Sequence, residues 1–245
     1  MSALPRIPRL VTALALVGFT LSGAWAAAPD AGATASSTEQ RQVPAFQAIE
    51  VAGPIDLVVR QGPQQVQVQA DSALRAQLES VVVSGAHGAT LRLRWKPRWN
   101  LLSHDAVKVT VSVPQLVALA ASGSGEVRVE PFRTPSLTMA LSGSGDARLD
   151  GLQADELAVA IAGSGDLRAS GKASVLKASI AGSGAMKFAD LHADQVTVDI
   201  AGSGSAAFDV SQTLTVSIAG SGDVTYSGQP QVKSSVIGSG RVRRR

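Results

Sequence analysis

The chain has no cysteine. No disulfide staples it, no thiolate is available for zinc, and no lipid can be attached to an N-terminal cysteine. Histidine is almost as scarce: His87, His104 and His192 are scattered and form no ligand set. No Ser-His-Asp arrangement is suggested either, because the serines sit in glycine-rich bends rather than in a nucleophile elbow.

A second long apolar run is missing as well. The one such run, Leu10 to Gly23, follows Arg6 and Arg9 and precedes Ala24-Trp25-Ala26. It is short for a spanning helix, and the small-x-small ending fits a secretory signal peptide over residues 1–26. The mature chain is therefore expected to be exported and to carry no integral membrane segment, leaving periplasm, cell surface and medium as its destinations.

Nor is there a real excess of positive charge. The formal +3 falls to +1 once Arg6 and Arg9 leave with the signal peptide. Arg241, Arg243, Arg244 and Arg245 are concentrated at the C-terminus, and the body without them stands at −3. Nucleic acid is not the expected partner, since binding it needs a basic surface rather than a basic tail. The tail either keeps a final rung from stacking end to end or attracts anionic envelope polymers.

What is present is a repeat. Gly-Ser-Gly occurs seven times, with first glycines Gly123, Gly143, Gly163, Gly182, Gly202, Gly220 and Gly238, at steps of 20, 20, 19, 20, 18 and 18 residues. The second glycines are Gly125, Gly145, Gly165, Gly184, Gly204, Gly222 and Gly240. Two residues before each first glycine stand Ala121, Leu141, Ile161, Ile180, Ile200, Ile218 and Val236. Positions −4 and −6 are also mostly aliphatic, while −5 and −3 are small or polar. Positions +4 and +6 repeat the pattern, for example in Leu167 and Ala169 or Met186 and Phe188. Strict period two marks strands with one buried face, and the three-and-four spacing of a helix is absent.

Each repeat is too short for strand–helix–strand, so like positions must stack as parallel rungs around one apolar column. The expected fold is all-β: a parallel β-solenoid of about seven rungs of 18–20 residues. At strand spacing, seven rungs span roughly 30 Å. The inward phase survives the Gly-Ser-Gly. The tripeptide is then either a tight bend, in which a Cβ would crowd the core or the rung below, or a turn with one glycine at positive φ.

Residues 27–44 are rich in Ala, Ser, Thr, Gln and Pro and are expected to form a flexible linker. Residues 45–115 are expected to form a small β-rich N-terminal cap, and residues 116–245 the solenoid. Within the cap, strands around Ile49, Leu57 and Val66 alternate and are separated by Gly53-Pro54 and Gln61-Gly62-Pro63, which predicts short hairpins. Residues 72–80 suit a short helix capped by Asp71 or Ser72. Strands are also predicted at Val81 to Val83, Leu91 to Trp95 and Val107 to Val113.

The matching residues are Phe46-Gln47-Ala48-Ile49-Glu50-Val51, Ile55-Asp56-Leu57-Val58-Val59-Arg60-Gln61-Gly62 and the repeats from Ser122-Gly123-Ser124-Gly125 onward. With them the chain resembles the auto-transporter adhesin head, GIN domain, family of bacterial envelope proteins over roughly residues 45–240. The resemblance implies a right-handed parallel β-helix and an exported location. It brings no catalytic residue and no cofactor. No β-barrel translocator is legible, so a complete auto-transporter is not expected.

Chemistry is sparse. Position +3 carries Glu126, Asp146 and Asp166 on consecutive rungs, and position +5 carries Arg128, Arg148 and Arg168. The plain expectation is a solvated ion-pair ladder in which each pair is worth little. Asp146 and Asp166, about 5 Å apart on adjacent rungs, also have the separation of a retaining glycosidase pair. The arginines beside them favour the charged form of both, which is the wrong form for an acid. Gly-Ser-Gly-Asp superficially matches the calcium β-roll nonapeptide, but the period is not nine and each rung offers one acid. Beyond Pro97, Arg98 and Trp99 lie in a predicted loop. Trp99 either stacks on a sugar ring or membrane surface or folds back over the solenoid end. The expected function is a non-catalytic, adhesin-like or scaffolding envelope protein whose partners are envelope glycans or surface proteins. A carbohydrate-active enzyme using the Asp column is the alternative, and a calcium-binding surface module the second.

Overall fold

Period-two alternation demands strands, and recurrence every 18–20 residues demands that the strands lie over one another. The computed structural model, which describes residues 37–96 and 107–245, shows both. The signal-peptide segment, the first part of the linker, and Arg98 and Trp99 lie outside the described residues.

In chain order the elements are β1 (Ser37–Arg41), β2 (Ala48–Ala52), β3 (Ile55–Gln61), β4 (Gln65–Ala70), α1 (Ser72–Gln77), β5 (Leu78–Gly85), β6 (Gly88–Trp95), β7 (Val107–Val113), β8 (Ala118–Gly123) and β9 (Val127–Val129). There follow β10 (Arg133–Gly143), β11 (Ala147–Gly163), β12 (Asp166–Gly182), β13 (Ala185–Gly202), β14 (Ser205–Gly220), β15 (Asp223–Gly228), β16 (Gln231–Gly238) and β17 (Arg241–Arg244). From β8 to β17 every pairing is parallel, and the register is unbroken on the stretch leading into each Gly-Ser-Gly, so that Ile161, Ile180, Ile200 and Ile218 are successive neighbours. All four are buried. Seven Gly-Ser-Gly corners bound about six turns of a β-solenoid.

The inward residues form one continuous core. Met186, Phe188 and Phe208 fill the part of it after the corner, and the two phenylalanines meet edge to face at 6.0 Å. Position −6 of the first repeat departs from expectation. Leu116 is buried there and Val117 is half-buried, because the parallel register with β10 begins only at Ala118. Further inward residues, Phe132, Leu152, Leu191 and Val210, lie at a second corner, where Gly171 stands between Leu152 and Leu191 and Val210 pairs with Ala193. The register slips occur around this corner, between Leu149 and Leu152, Arg168 and Ser170, Phe188 and His192, and Ala193 and Gln195. The variable repeat length is taken up there, which leaves the Gly-Ser-Gly column aligned.

The Gly-Ser-Gly itself is a positive-φ turn. All seven first glycines have φ between +106° and +135°. That conformation turns each carbonyl along the axis. The Gly123 oxygen accepts the N–H groups of both Ser144 and Gly145 from the next rung, at 3.1 and 2.9 Å. Close approach follows from these bonds. A Cβ on Gly143 would stand 2.7 Å from the Gly123 oxygen, and one on Gly222 would stand 2.7 Å from both the Gly204 oxygen and Ile200 Cγ2.

The N-terminal part differs from the expected cap. Strands β2 and β3 are not joined by a hairpin. They run parallel to β8 and β9 as a full rung, with Gly53 at the first-glycine position and φ +103°. On their far side lie β6 and β7, again parallel. The chain therefore places its later rung outside its earlier one, and the solenoid extends into residues 45–115. Gln61-Gly62-Pro63 is not a hairpin either, because β4 pairs antiparallel with β7 rather than with β3. The true hairpin is β5–β6, around Ala86-His87. Antiparallel strands β4 and β5 close the end, and α1, shorter than expected, links them. Its N-cap is Asp71, whose carboxylate accepts the Ala73 N–H at 2.7 Å.

The end of the expected linker is also a strand. β1 pairs antiparallel with β4, and the Arg41 guanidinium donates to the Leu78 and Arg75 carbonyls and to Ser80 Oγ. Solvent on nearly all of β1 removes the apolar alternation by which a strand is recognised. Trp95, at the end of a predicted strand, is half-buried against the core beside Gly53, where a Cβ would meet its ring. At the other end Val232 and Val236 continue the core phase but are 38% exposed, and Arg244 is exposed.

Gly182→Ala should cost about 1–3 kcal/mol from its φ alone, and more from the clash of the new Cβ with the Gly163 carbonyl. Ser183→Ala, one residue on, should stay within about 0.5 kcal/mol. Denaturant unfolding of the two variants checks the contrast.

Candidate functional site

Outward groups on the corner face inherit the rung spacing, about 4.8 Å. Each Gly-Ser-Gly serine points outward and is exposed. Among the described residues none of the seven hydroxyls has a hydrogen-bond partner. Asp146, Asp166, Arg148 and Arg168 do come together. With Ser124, Ser144 and Glu126 they line an open groove of about 330 Å³ along the corner.

The expected ion-pair ladder is largely replaced by bonds to backbone. Asp146 Oδ1 accepts the Asp166 N–H from the next rung at 2.9 Å, and Asp166 Oδ1 accepts that of Ala185 at 3.2 Å. Asp56 does the same for Glu126 at 3.0 Å. Where the lower residue is Ala185 or Ser205, the N–H above turns instead to the carbonyl of the second glycine: Ser205 donates to Gly184, and Asp223 to Gly204, both at 3.2 Å. A short carboxylate beside a turn readily accepts a nearby N–H, so the two acceptors are interchangeable. Of the basic column, Lys187 pairs with Asp166 at 2.5 Å, and Arg128 reaches Asp150 at 2.7 Å rather than Glu126. Among the described residues Arg148 and Arg168 have no ion-pair partner.

This geometry is poor for the glycosidase alternative. One oxygen of each aspartate is held by a backbone N–H, and the second oxygen of Asp166 is held by Lys187. No group of three or more His, Asp or Glu among the described residues is placed to hold a metal ion. No helix among them is long and apolar enough to cross a membrane.

A family model described as "Putative auto-transporter adhesin, head GIN domain" matches residues 45–230. The chain belongs to this family. No curated protein matches the sequence. Solved structures share the fold of this GIN domain at low identity. A "putative adhesin" from Bacteroides fragilis NCTC 9343 superposes with a TM-score of 0.79 at 22% identity, over 87% of this chain and 98% of that one. A "putative lipid binding protein" from Parabacteroides distasonis ATCC 8503 gives 0.69 at 23%, over 86% and 96%. A "putative adhesin" from Parabacteroides merdae ATCC 43184 gives 0.67 at 22%, over 85% and 95%.

The GIN domain carries a second polar cluster that the sequence did not suggest. His192 Nδ1 lies 2.7 Å from Asp209 Oδ2, and Ser227 Oγ donates to Asp209 Oδ1 at 2.7 Å. Beside them Ser211 Oγ donates to Asp194 at 2.8 Å. The offsets from the nearest corner glycine are +10 for His192, +7 for Asp209 and +7 for Ser227. Alignment on the glycines therefore leaves His192 out of line with Asp209. The bond to His192, then the bond from Ser227, holds the Asp209 carboxyl below its ordinary 3.8. Its contribution to stability is present above that value and lost as pH falls through the folded one.

Two outcomes follow. In carboxyl NMR titrations Asp209 should titrate below 3.8 and return toward that value in His192→Ala. The stability gap between wild type and Asp209→Asn should shrink as pH drops through Asp209's titration. Asp146→Ala should cost less than about 1.5 kcal/mol in denaturant unfolding, because the Gly145 carbonyl can take over the Asp166 N–H as Gly184 and Gly204 do on later rungs.

Proposed function

We propose that this protein is exported and acts without catalysis, as an adhesin-like protein of the cell envelope that presents an elongated surface to envelope glycans or surface proteins. The observation that carries the proposal is the corner face. A stack of parallel rungs repeats an outward serine at every corner, and the hydroxyls are left free by the fold. A repeated surface of this kind binds by many weak contacts along an extended partner. The family supports an envelope role, and residues 1–26 have the composition of a signal peptide. Release through that peptide places the mature N-terminus at Ala27.

The test uses the full-length chain expressed in a bacterial host. N-terminal sequencing of the exported product should give Ala27, and the purified protein should co-sediment with envelope fractions without releasing reducing sugar from them. An intact N-terminus with cytoplasmic retention, or steady sugar release abolished in Asp146→Asn, would overturn the proposal.

A further inference from the structure

We propose that the corner groove binds a neutral polysaccharide chain lying along the solenoid axis, across the rungs of Gly123, Gly143 and Gly163. The proposal rests on the adhesin-like function above and names its ligand class and site.

From Gly123 onward a Cβ on either glycine of a corner would meet the backbone of the neighbouring rung, whereas the serine side chains make no hydrogen bond among the described residues. At the equivalent position in the first rung stands Pro54, exposed and without a hydroxyl, after Gly53 at positive φ, although there the Gly53 carbonyl accepts the Ile55 N–H of its own rung. Ser124 and Ser144 thus place donor-acceptor groups in the groove that nothing in the fold consumes.

The charges choose the ligand. Glu126, Asp146 and Asp166 face Arg148 and Arg168, with Lys187 already paired to Asp166. The fixed charges cancel, so a polyanion gains no field there and neither does a polycation. A sugar hydroxyl both donates and accepts. Each rung of the groove offers it a carboxylate to donate to and a guanidinium or serine to accept from. The aspartates are pre-positioned by their backbone bonds, and Arg148 and Arg168 project from neighbouring strands into the same groove. The rung spacing of about 4.8 Å is close to the advance of an extended pyranose chain per sugar. Successive rings can then meet the same set of groups.

The extent of the site is also fixed. On the next two rungs position +3 is Ala185 and Ser205, and position +5 of the latter is Ala207. The alternating set ends there, so the groove matches a short run of sugars rather than the whole solenoid. Among the described residues no aromatic ring lines it, so affinity is spread over hydrogen bonds and must depend on chain length.

The test is titration calorimetry on the mature protein. The probes are neutral gluco- and manno-oligosaccharides of two to six sugars, neutral glycan released from the source cells' envelopes, and polygalacturonate as an acidic control. A neutral glycan should bind, with affinity rising from the disaccharide and levelling by the tetrasaccharide. Arg148→Ala/Arg168→Ala and Ser124→Ala/Ser144→Ala should each weaken binding, the arginine pair by roughly tenfold or more, with melting temperature unchanged. Arg243→Ala/Arg244→Ala/Arg245→Ala should not alter it. If neutral glycans bind equally to wild type and to the groove variants, the site is wrong. If only polygalacturonate binds, and the tail variant abolishes that binding, the ligand class is wrong. If no neutral glycan binds while envelope fractions still retain the protein through a protease-sensitive partner, the inference fails and the adhesin-like function stands. If the envelopes do not retain the protein either, both fail.

Discussion

The structure depends on how closely two backbones approach at the Gly-Ser-Gly corner. The carbonyl of each first glycine takes one or two N–H groups from the rung above, and this brings chain so near to chain that a Cβ on either glycine has no room. Everything else is held in register by that contact. The aliphatic columns lie over one another because the corners do. Irregularity is confined to the second corner, where strand pairing slips without disturbing the first.

The same constraint explains which outward residues are free to vary. At position +3 the N–H of most rungs finds an acceptor, either the carboxylate below or the glycine carbonyl beside it. Because the two acceptors substitute for one another, the fold tolerates Asp, Ala or Ser at this position. The acid column is therefore neither a strict structural requirement nor an ion-pair ladder. Its pairing with the basic column survives at Asp166 and Lys187, where the lysine reaches across rungs.

The solenoid was legible because its signals are periodic. Ile161, Ile180 and Ile200 sit at a fixed offset from a glycine landmark, and the structure stacks and buries them. What was not legible lacked that landmark. Phe132, Leu152 and Leu191 all stand nine residues past their glycines, but Lys172 and Ser211 occupy that offset on the other two rungs and interrupt the pattern. His192 and Asp209 meet at offsets that do not match. In residues 45–115 the strands themselves were found. Their partners were not, because the chain inserts its first rung between two later ones, and sequence neighbours such as β3 and β4 pair elsewhere. β1 escaped notice because a solvated edge strand carries no alternation. Of the site, the residues were legible and their bonding was not. Sequence spacing brought Asp146, Asp166, Arg148 and Arg168 to one face but could not show that backbone N–H groups compete with arginines for the carboxylates.

Inward and outward demands are thus separated in this fold. Inside, each position is bound by the one above and below it, and a change is felt at once as a void or a clash. Outside, Pro54 stands where other rungs have serine, and Ala185 and Ser205 stand where others have aspartate, with the rungs still in register. The backbone does not ask for a hydroxyl, a carboxylate and a guanidinium together at the corners of Gly123, Gly143 and Gly163. Their concentration on those rungs, beside a groove and not elsewhere along the column, is what a demand from outside the chain would produce.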